Sequence, residues 1–322
     1  MAAGGDVQGD RNVGTFIDAH GGPAALAKVK PYLETASISF VNLEGPISDA
    51  GKKLGWKEYT FRSRLALTSG LASAGIDVVS LANNHAMDCG SSALLDTIAR
   101  LDEAGINHAG GGADSDAARA PALLIAPAGT VAVFAFTDKH AAGFAAGAKK
   151  PGVATISDTK RLLAAIAEAD KKVDFVIVSF HWGTEYTPSA AGYQRALAHK
   201  VVDAGADLIL GHHPHVIQGL EVYRDRLIAY SLGDFVFDHY KRVTGEAFVL
   251  QVTMDRSGPP SATIVPVYLS DPYGIPAPVS GRAADVILDR LTRLSAAYGV
   301  KLTRSGDTAL LGAPAPAPPP GL

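Results

Sequence analysis

The feature that most constrains this chain is a rhythm: short runs rich in Val, Ile and Phe, apolar on both faces, alternate with longer amphipathic stretches. The runs Ser37–Val41, Asp77–Ala82, Val131–Thr137, Phe175–Phe180, Leu208–Leu210 and Leu227–Ser231 predict strands buried on both sides, as in a sheet covered by helices. Helical periodicity lies near Pro23–Leu33, Leu65–Ala74, Ser91–Ala104, Asp158–Lys171 and Ala190–Ala204. Three of these helices close alike, on Ala74-Gly75-Ile76-Asp77, Ala104-Gly105-Ile106-Asn107 and Ala204-Gly205-Ala206-Asp207, with glycine where a left-handed residue ends a helix. An extended segment follows each time. The expectation is an α/β protein with a largely central sheet. After Glu246 the order changes to two adjacent strands, Ala247–Met254 and Ala262–Tyr268, and one helix, Arg282–Tyr298. A single domain over 1–302 is expected, with 303–322, Pro/Ala-rich from Ala313 onward, as a disordered tail.

Polar residues fall just after the apolar runs. Asp6 and Asp10 share the segment Gly5–Arg11. Glu44 follows the run ending at Val41, and Asn83, Asn84 and His85 follow the run ending at Ala82. His181 comes after Phe180, His212, His213 and His215 after Leu210, and Asp234 after Ser231. In open α/β sheets the carboxyl ends of strands line the ligand crevice, so these residues are expected to converge on one edge. A single Asp or Asn at such a place is ordinary turn chemistry. Repetition at six strand ends predicts a metal centre, with Asp6, Glu44, Asn84, His181, His213 and His215 as ligands. Imidazole with carboxylate suits one or two divalent ions of manganese, zinc or iron better than calcium or magnesium. Trp182, Glu185 and Tyr186, directly after His181, and Arg62, in a Tyr/Phe-rich segment, are candidate substrate-binding residues. Asp88 is placed to orient His85 or to cap a helix.

Composition narrows the partners. The 322 residues are 47% hydrophobic with a net charge of −3, ample for a large core and without the basic surplus that nucleic acid or an anionic membrane would call for. One cysteine, Cys89, excludes an internal disulfide. The first residues show no basic segment followed by an apolar run, and no stretch approaches the ~20 apolar residues of a membrane helix. The expectation is a cytoplasmic protein without a membrane segment, acting on a small-molecule, peptide or polymer substrate.

Taken in order, Gly5-Asp6, Asn42-Leu43-Glu44, Ala82-Asn83-Asn84-His85, His181-Trp182-Gly183, Gly211-His212-His213-Pro214-His215 and Tyr230-Ser231-Leu232-Gly233-Asp234-Phe235 resemble the capsule-synthesis, poly-γ-glutamate-associated CapA family. That family is itself similar to the calcineurin-like metallophosphoesterases. The resemblance runs from about Gly5 to Tyr268 and implies a four-layer α/β/β/α sandwich with a two-metal site. It implies Asp6 and His215 on the first metal, Glu44 bridging the pair, and Asn84, His181 and His213 on the second. His85, with Asp6, would be catalytic: His85 would protonate a leaving group or steady developing charge. The chain departs from the phosphoesterase pattern where Asp-x-His is expected, since Asp6-Val7-Gln8 lacks the imidazole. A weaker first site, or a harder ion there, follows.

The function expected from this resemblance is a metal-dependent hydrolase acting on a phosphoester or a γ-glutamyl, peptide-like substrate in capsule or poly-γ-glutamate metabolism. Two alternatives stand beside it: a metal-dependent peptide epimerase, and a non-catalytic capsule-assembly protein that binds polymer.

Overall fold

In the computed structural model, which describes residues 1–239, 241–256 and 258–312, the apolar runs assemble into two large sheets. The ten-stranded sheet has the order Thr303–Ser305, Thr308–Leu311, Ser261–Ser270, Glu246–Thr253, Ala2–Val7, Ser39–Leu43, Val78–Ser80, Asn107–Ala109; Asp234–Val236 also pairs with Ala2–Val7, and Ile275–Pro278 with Ser261–Ser270. The six-stranded sheet has the order Leu220–Tyr223, Arg226–Ala229, Leu208–His212, Phe175–His181, Gly129–Thr137, Ala122–Ala126.

The strands are apolar on both faces because each sheet is covered on both. Phe40, Val78, Phe248 and Leu250 of the larger sheet meet Val133, Ile177, Leu208 and Leu210 of the smaller one in a shared core. The outer face of the larger sheet packs Val41, Val79 and Val249 against Val13, Leu71 and Leu94 from the helices Arg11–His20, Leu67–Ser73 and Ser91–Glu103. The outer face of the smaller sheet packs Val176, Val178 and Ile209 against Leu162, Ile166, Ala198 and Val201 from Thr159–Asp170 and Gly192–Asp203. The result is an α/β/β/α sandwich. Its last helix, Gly281–Ala296, inserts Ile287, Leu288 and Leu291 into the inter-sheet core, a period of three to four as an amphipathic helix requires.

Parallel pairing aligns the strand ends. In the larger sheet Asp6 stands opposite both Asn42 and Asp234, and Asn42 opposite Ser80. In the smaller one His212 stands opposite His181, which stands opposite Thr137. Gly5 permits a close approach: a Cβ there would lie 1.9 Å from the Gly233 carbonyl oxygen, so a side chain would push the Asp6 and Asp234 backbones apart.

Three expectations need correction. The helix expected over Pro23–Leu33 is broken into a 3-10 turn, Gly22–Ala25, and a single turn of helix, Lys30–Leu33. Pro31 has no N–H to give to the residue four earlier, so the helix restarts at that point. The strand Ala2–Val7 and the helix Arg11–His20 were not expected, because Ala-Ala-Gly-Gly lacks the β-branched signal. The folded chain also continues past residue 302: Thr308–Leu311 pairs with Ser261–Ser270, and Thr303–Ser305 with Thr308–Leu311. Ala309 and Leu311 are buried there, which anchors the segment. The rest of the expected tail, 313–322, lies outside the described residues.

Candidate metal centre

Five strand ends deliver the six predicted ligands to one place. Glu44 lies directly after Ser39–Leu43, and its amide donates to the Val7 carbonyl (2.7 Å), which ties it to the strand that carries Asp6. Asn83 braces the next loop: its Nδ2 donates to the Leu43 carbonyl (2.8 Å), and its Oδ1 accepts from the His85 amide (3.0 Å). Asn84 and His85 are thereby held at the site. His181 ends its strand, and the Gly-His-His-Pro-His loop follows the neighbouring one. Backbone strain collects here. Arg11, Tyr186, His213 and His215 have φ of 47°, 60°, 94° and 54°, values that L-residues seldom adopt and that the surrounding hydrogen bonds must enforce.

Glu44 is the centre of the arrangement. It is completely buried, and neither carboxylate oxygen accepts a hydrogen bond from the described residues. His85 Nε2 lies 3.7 Å from Glu44 Oε1, and His181 Nε2 and His215 Nε2 each lie 3.9 Å from it. Asp6 is better satisfied, accepting from Asn42 Nδ2 (2.8 Å) and the His213 amide (3.1 Å). His212 Nδ1 lies 3.2 Å from Asp6 Oδ1, within ion-pair reach of it. His181 Nε2 is 2.7 Å from Asn84 Oδ1, and the His181 and His213 rings are 4.7 Å apart. His215 Nδ1 pairs with Asp234 Oδ1 at 2.7 Å, which leaves Nε2 turned towards Glu44. A carboxylate that orients an imidazole in this way is the usual support of a metal-bound histidine.

The charges are strongly perturbed. Burial, and then the neighbouring Asp6 carboxylate, raises the pKa of Glu44 well above its ordinary value. Burial lowers His181, lowers His213 to about 3 and lowers His85 to about 4, the last against the pull of Asp88. These imidazoles are neutral at neutral pH, the form that ligates. His215 is the exception: burial opposes its charge, but Asp234 and Glu44 outweigh it and raise its pKa.

The residues present fit a cation. A buried carboxylate without a partner is costly in a medium of low dielectric, and a bound ion supplies the missing compensation. Asp6, Glu44 and His215 each offer a ligand atom within 4.8 Å of the others, and so do Glu185, His213 and His215. His213 Nδ1 is buried without a hydrogen-bond partner. Asp6, Glu44, Asn84, His181, His213 and His215 are thus brought together. Gln8 is not available for ligation, since its Nε2 donates to Asp238 Oδ1 (3.0 Å) and its Oε1 accepts from the Asp10 amide.

A cavity opens outward from the centre, lined by His85, His215 and Asp234 at its base and by Arg11, Tyr59, Glu185, Tyr186 and Lys241 nearer solvent. Glu185 and Tyr186, two of the candidate substrate-binding residues, thus line the cavity. Arg62 and Trp182 do not line it. The Arg62 guanidinium is spent on the Ala50 and Gly51 carbonyls (3.3 and 2.8 Å) and the Cys89 sulfur (3.3 Å), clamping a loop. Trp182 is fully buried, stacked 4.6 Å from Phe180, with its Nε1 donating to the Tyr230 carbonyl (3.0 Å). It is a core residue.

The sequence reading also missed Lys57 and Arg11. Lys57 Nζ reaches the Asn84 carbonyl (2.7 Å), Asp88 Oδ1 (2.5 Å) and His85 Nδ1 (2.9 Å). Asp88 Oδ2 lies 2.6 Å from His85 Nδ1, as its position three residues on suggested. Arg11 pairs with Asp238 Oδ1 at 2.6 Å and lies over the Phe61 ring, 4.8 Å from its centroid. Nothing in the spacing of either cation marks it: Lys57 sits in a polar loop and Arg11 opens a helix, places where a solvated side chain is the ordinary case. Among the described residues, no helix is long and apolar enough to cross a membrane.

Known proteins resemble this chain in structure and in sequence. The NAD nucleotidase of Haemophilus influenzae aligns at 13% identity and TM-score 0.44, covering 84% of this chain and 55% of its own. A hypothetical protein from Thermus thermophilus aligns at 17% identity and TM-score 0.47, covering 86% and 95%. In sequence the chain is 33% identical to the PGA biosynthesis protein CapA of Bacillus subtilis (strain 168), over 85% of this chain and 72% of that one. It is 32% identical to the capsule biosynthesis protein CapA of Bacillus anthracis, over 86% and 68%. The family profile described as bacterial capsule synthesis protein PGA_cap matches residues 1–239, and the chain belongs to that family.

Proposed function

We propose that this member of the capsule-synthesis family is a metal-dependent hydrolase of metallophosphoesterase type, acting on a phosphoester or a γ-glutamyl, peptide-like bond. The observation that carries the reading is Glu44: a fully buried carboxylate with no hydrogen bond to either oxygen, ringed by three imidazoles within 3.7–3.9 Å of Oε1. A purely structural carboxylate at such a depth would be paired. A divalent ion of manganese, zinc or iron bound there supplies Lewis-acid activation of water and of the substrate's acceptor oxygen. Asp6 and His215 would hold one ion, Asn84, His181 and His213 a second, and Glu44 both.

The remaining steps belong to the chain's own groups. Asp88 accepts the Nδ1–H of His85, so Nε2 is bare and faces the cavity base. With its pKa lowered to about 4 by burial, His85 is neutral at pH 7 and accepts at Nε2 the proton that the attacking water gives up, which it then passes to the leaving group. Asp88, itself paired with Lys57 Nζ through its other oxygen, keeps that tautomer in place. Arg11 and Lys241 at the cavity wall meet the negative charge of a phosphoryl or carboxylate group, and Tyr59 and Tyr186 narrow the approach.

The test is metal analysis of the purified protein followed by a screen of phosphoester and γ-glutamyl substrates at matched metal content. Metal-dependent cleavage that His85→Ala abolishes, with the metal retained, is the expected result. Solvent deuterium uptake without cleavage would replace hydrolysis with epimerisation. Metal binding with no turnover of either class would leave a polymer-binding capsule-assembly protein.

A further inference from the structure

We propose that Glu185 is a metal ligand, the solvent-side carboxylate of the ion held at His215, and that it fills the place left short by Gln8. The inference rests on the metal-centre reading above. Of the two groups whose ligand atoms lie within 4.8 Å of one another, one joins Asp6, Glu44 and His215 and the other joins Glu185, His213 and His215. They share His215. The inner group is buried throughout, whereas Glu185 is exposed and faces the same imidazole from the cavity side.

Two further observations point the same way. His213 Nδ1 is buried, on a residue only 5% exposed, with no hydrogen-bond partner among the described residues, so an unpartnered ligand of the neighbouring ion stands beside Glu185 and His215. The loop that carries Glu185 is also built rather than loose. The Tyr186 amide donates to the Pro214 carbonyl (2.8 Å), between the two histidines, and Gln218 Nε2 donates to the Thr187 carbonyl (2.7 Å). Tyr186 takes a left-handed φ of 60° to make its bond. An exposed glutamate on a free loop would need no such strain.

The chemistry follows from the donor set. Gln8 is committed to Asp238 and the Asp10 amide, so the ion at His215 has a single imidazole, with Asp6 and Glu44. A third carboxylate completes an oxygen-rich site, which favours a hard ion such as Mn²⁺ over Zn²⁺. The partner site, with two imidazoles and an amide oxygen, keeps the opposite preference. The two ions of this centre are therefore chemically different by design of the ligands.

The experiment is Mn²⁺ titration of the chelator-stripped full chain, followed by the loss of the free-ion electron paramagnetic resonance signal, for the parent protein, Glu185→Gln and Glu185→Asp. Because Glu185 is exposed, the variants keep the parent's circular dichroism. The expected result is two classes of Mn²⁺ site in the parent. In Glu185→Gln one class is weakened tenfold or more and the other is unchanged, and Glu185→Asp is intermediate. A Glu185→Gln variant that binds Mn²⁺ within twofold of the parent in every class overturns the proposal and leaves the metal centre standing, whether or not turnover falls. A parent that binds no Mn²⁺, Zn²⁺ or Fe²⁺ overturns both.

Discussion

Replacing Glu44 by Gln should stabilise the metal-free protein while destroying its response to metal. The two effects have one cause. In the metal-free state Glu44 is buried with no hydrogen bond from the described residues, near the Asp6 carboxylate that adds to the burial in raising its pKa. A buried group left unsatisfied costs about 1–3 kcal/mol, and more when charged. Glutamine keeps the shape and removes the charge, so a gain of about 1–3 kcal/mol is expected at pH 8. For a chain of this size that is about 2–6 °C in melting temperature. The sign also shows in pH. Because the folded pKa is raised, the native state holds a proton that the unfolded chain has already released, so stability from this group falls as pH rises above 4.5 towards the folded value. The variant should lose that slope. Metal at about 100 times its dissociation constant stabilises the parent by about 2.7 kcal/mol, and the variant, without its bridging carboxylate, should show little of this. Differential scanning calorimetry with chelator and with Mn²⁺ reads both arms. A variant that melts lower than the parent in chelator, or that keeps the full metal-induced shift, would refute the assignment of Glu44 as the ion-compensated carboxylate.

Other substitutions probe the rest of the centre. His181→Ala or His213→Ala should each remove most of the bound zinc, since each deletes an imidazole from the nitrogen-rich site; full stoichiometry in both, by elemental analysis, would void their assignment. Gln8→His gives up the bonds to Asp238 and the Asp10 amide, costing about 1–2 kcal/mol of metal-free stability, and should tighten binding at the His215 ion. An unchanged affinity would mean that position 8 does not face the ion. The metal-free parent should also lose stability in mild acid. His85 and His213 are held neutral with pKa values of about 4 and about 3, below the unfolded 6.5, so the unfolded chain gains protons first as pH falls below 6.5. Between pH 6.5 and pH 5 the loss is about 1.6 kcal/mol for each group, measured by urea unfolding. A flat profile over that range would show that these imidazoles are not held neutral.

Strand-end chemistry explains how far the sequence could be read and where it stopped. Runs such as Phe175–His181 and Leu208–His212 carry enough Val, Ile, Leu and Phe to declare themselves as strands buried on both faces, and the polar residue that ends each is visible because it breaks an apolar run. Glu44, Asn84, His181, His213 and His215 were legible for that reason, and the family resemblance grouped them as one expected metal site. Local signal also sufficed for the helix Gly281–Ala296, whose buried residues recur at helical spacing. Local signal was absent from Ala2–Val7, which is a strand because it lies between Glu246–Thr253 and Ser39–Leu43 and because Gly5 lets it touch Gly233. Tertiary structure alone decided the fate of the polar and aromatic side chains. Trp182 and Arg62 stood in plausible places, yet one fills the core beside Phe180 and the other clamps a loop, while Lys57 reaches His85 from 28 residues away. A side chain's role depends on which neighbours compete for it, and those neighbours are distant in the chain. The same holds for Glu185, which only the approach of Pro214 to Tyr186 brings beside His213 and His215.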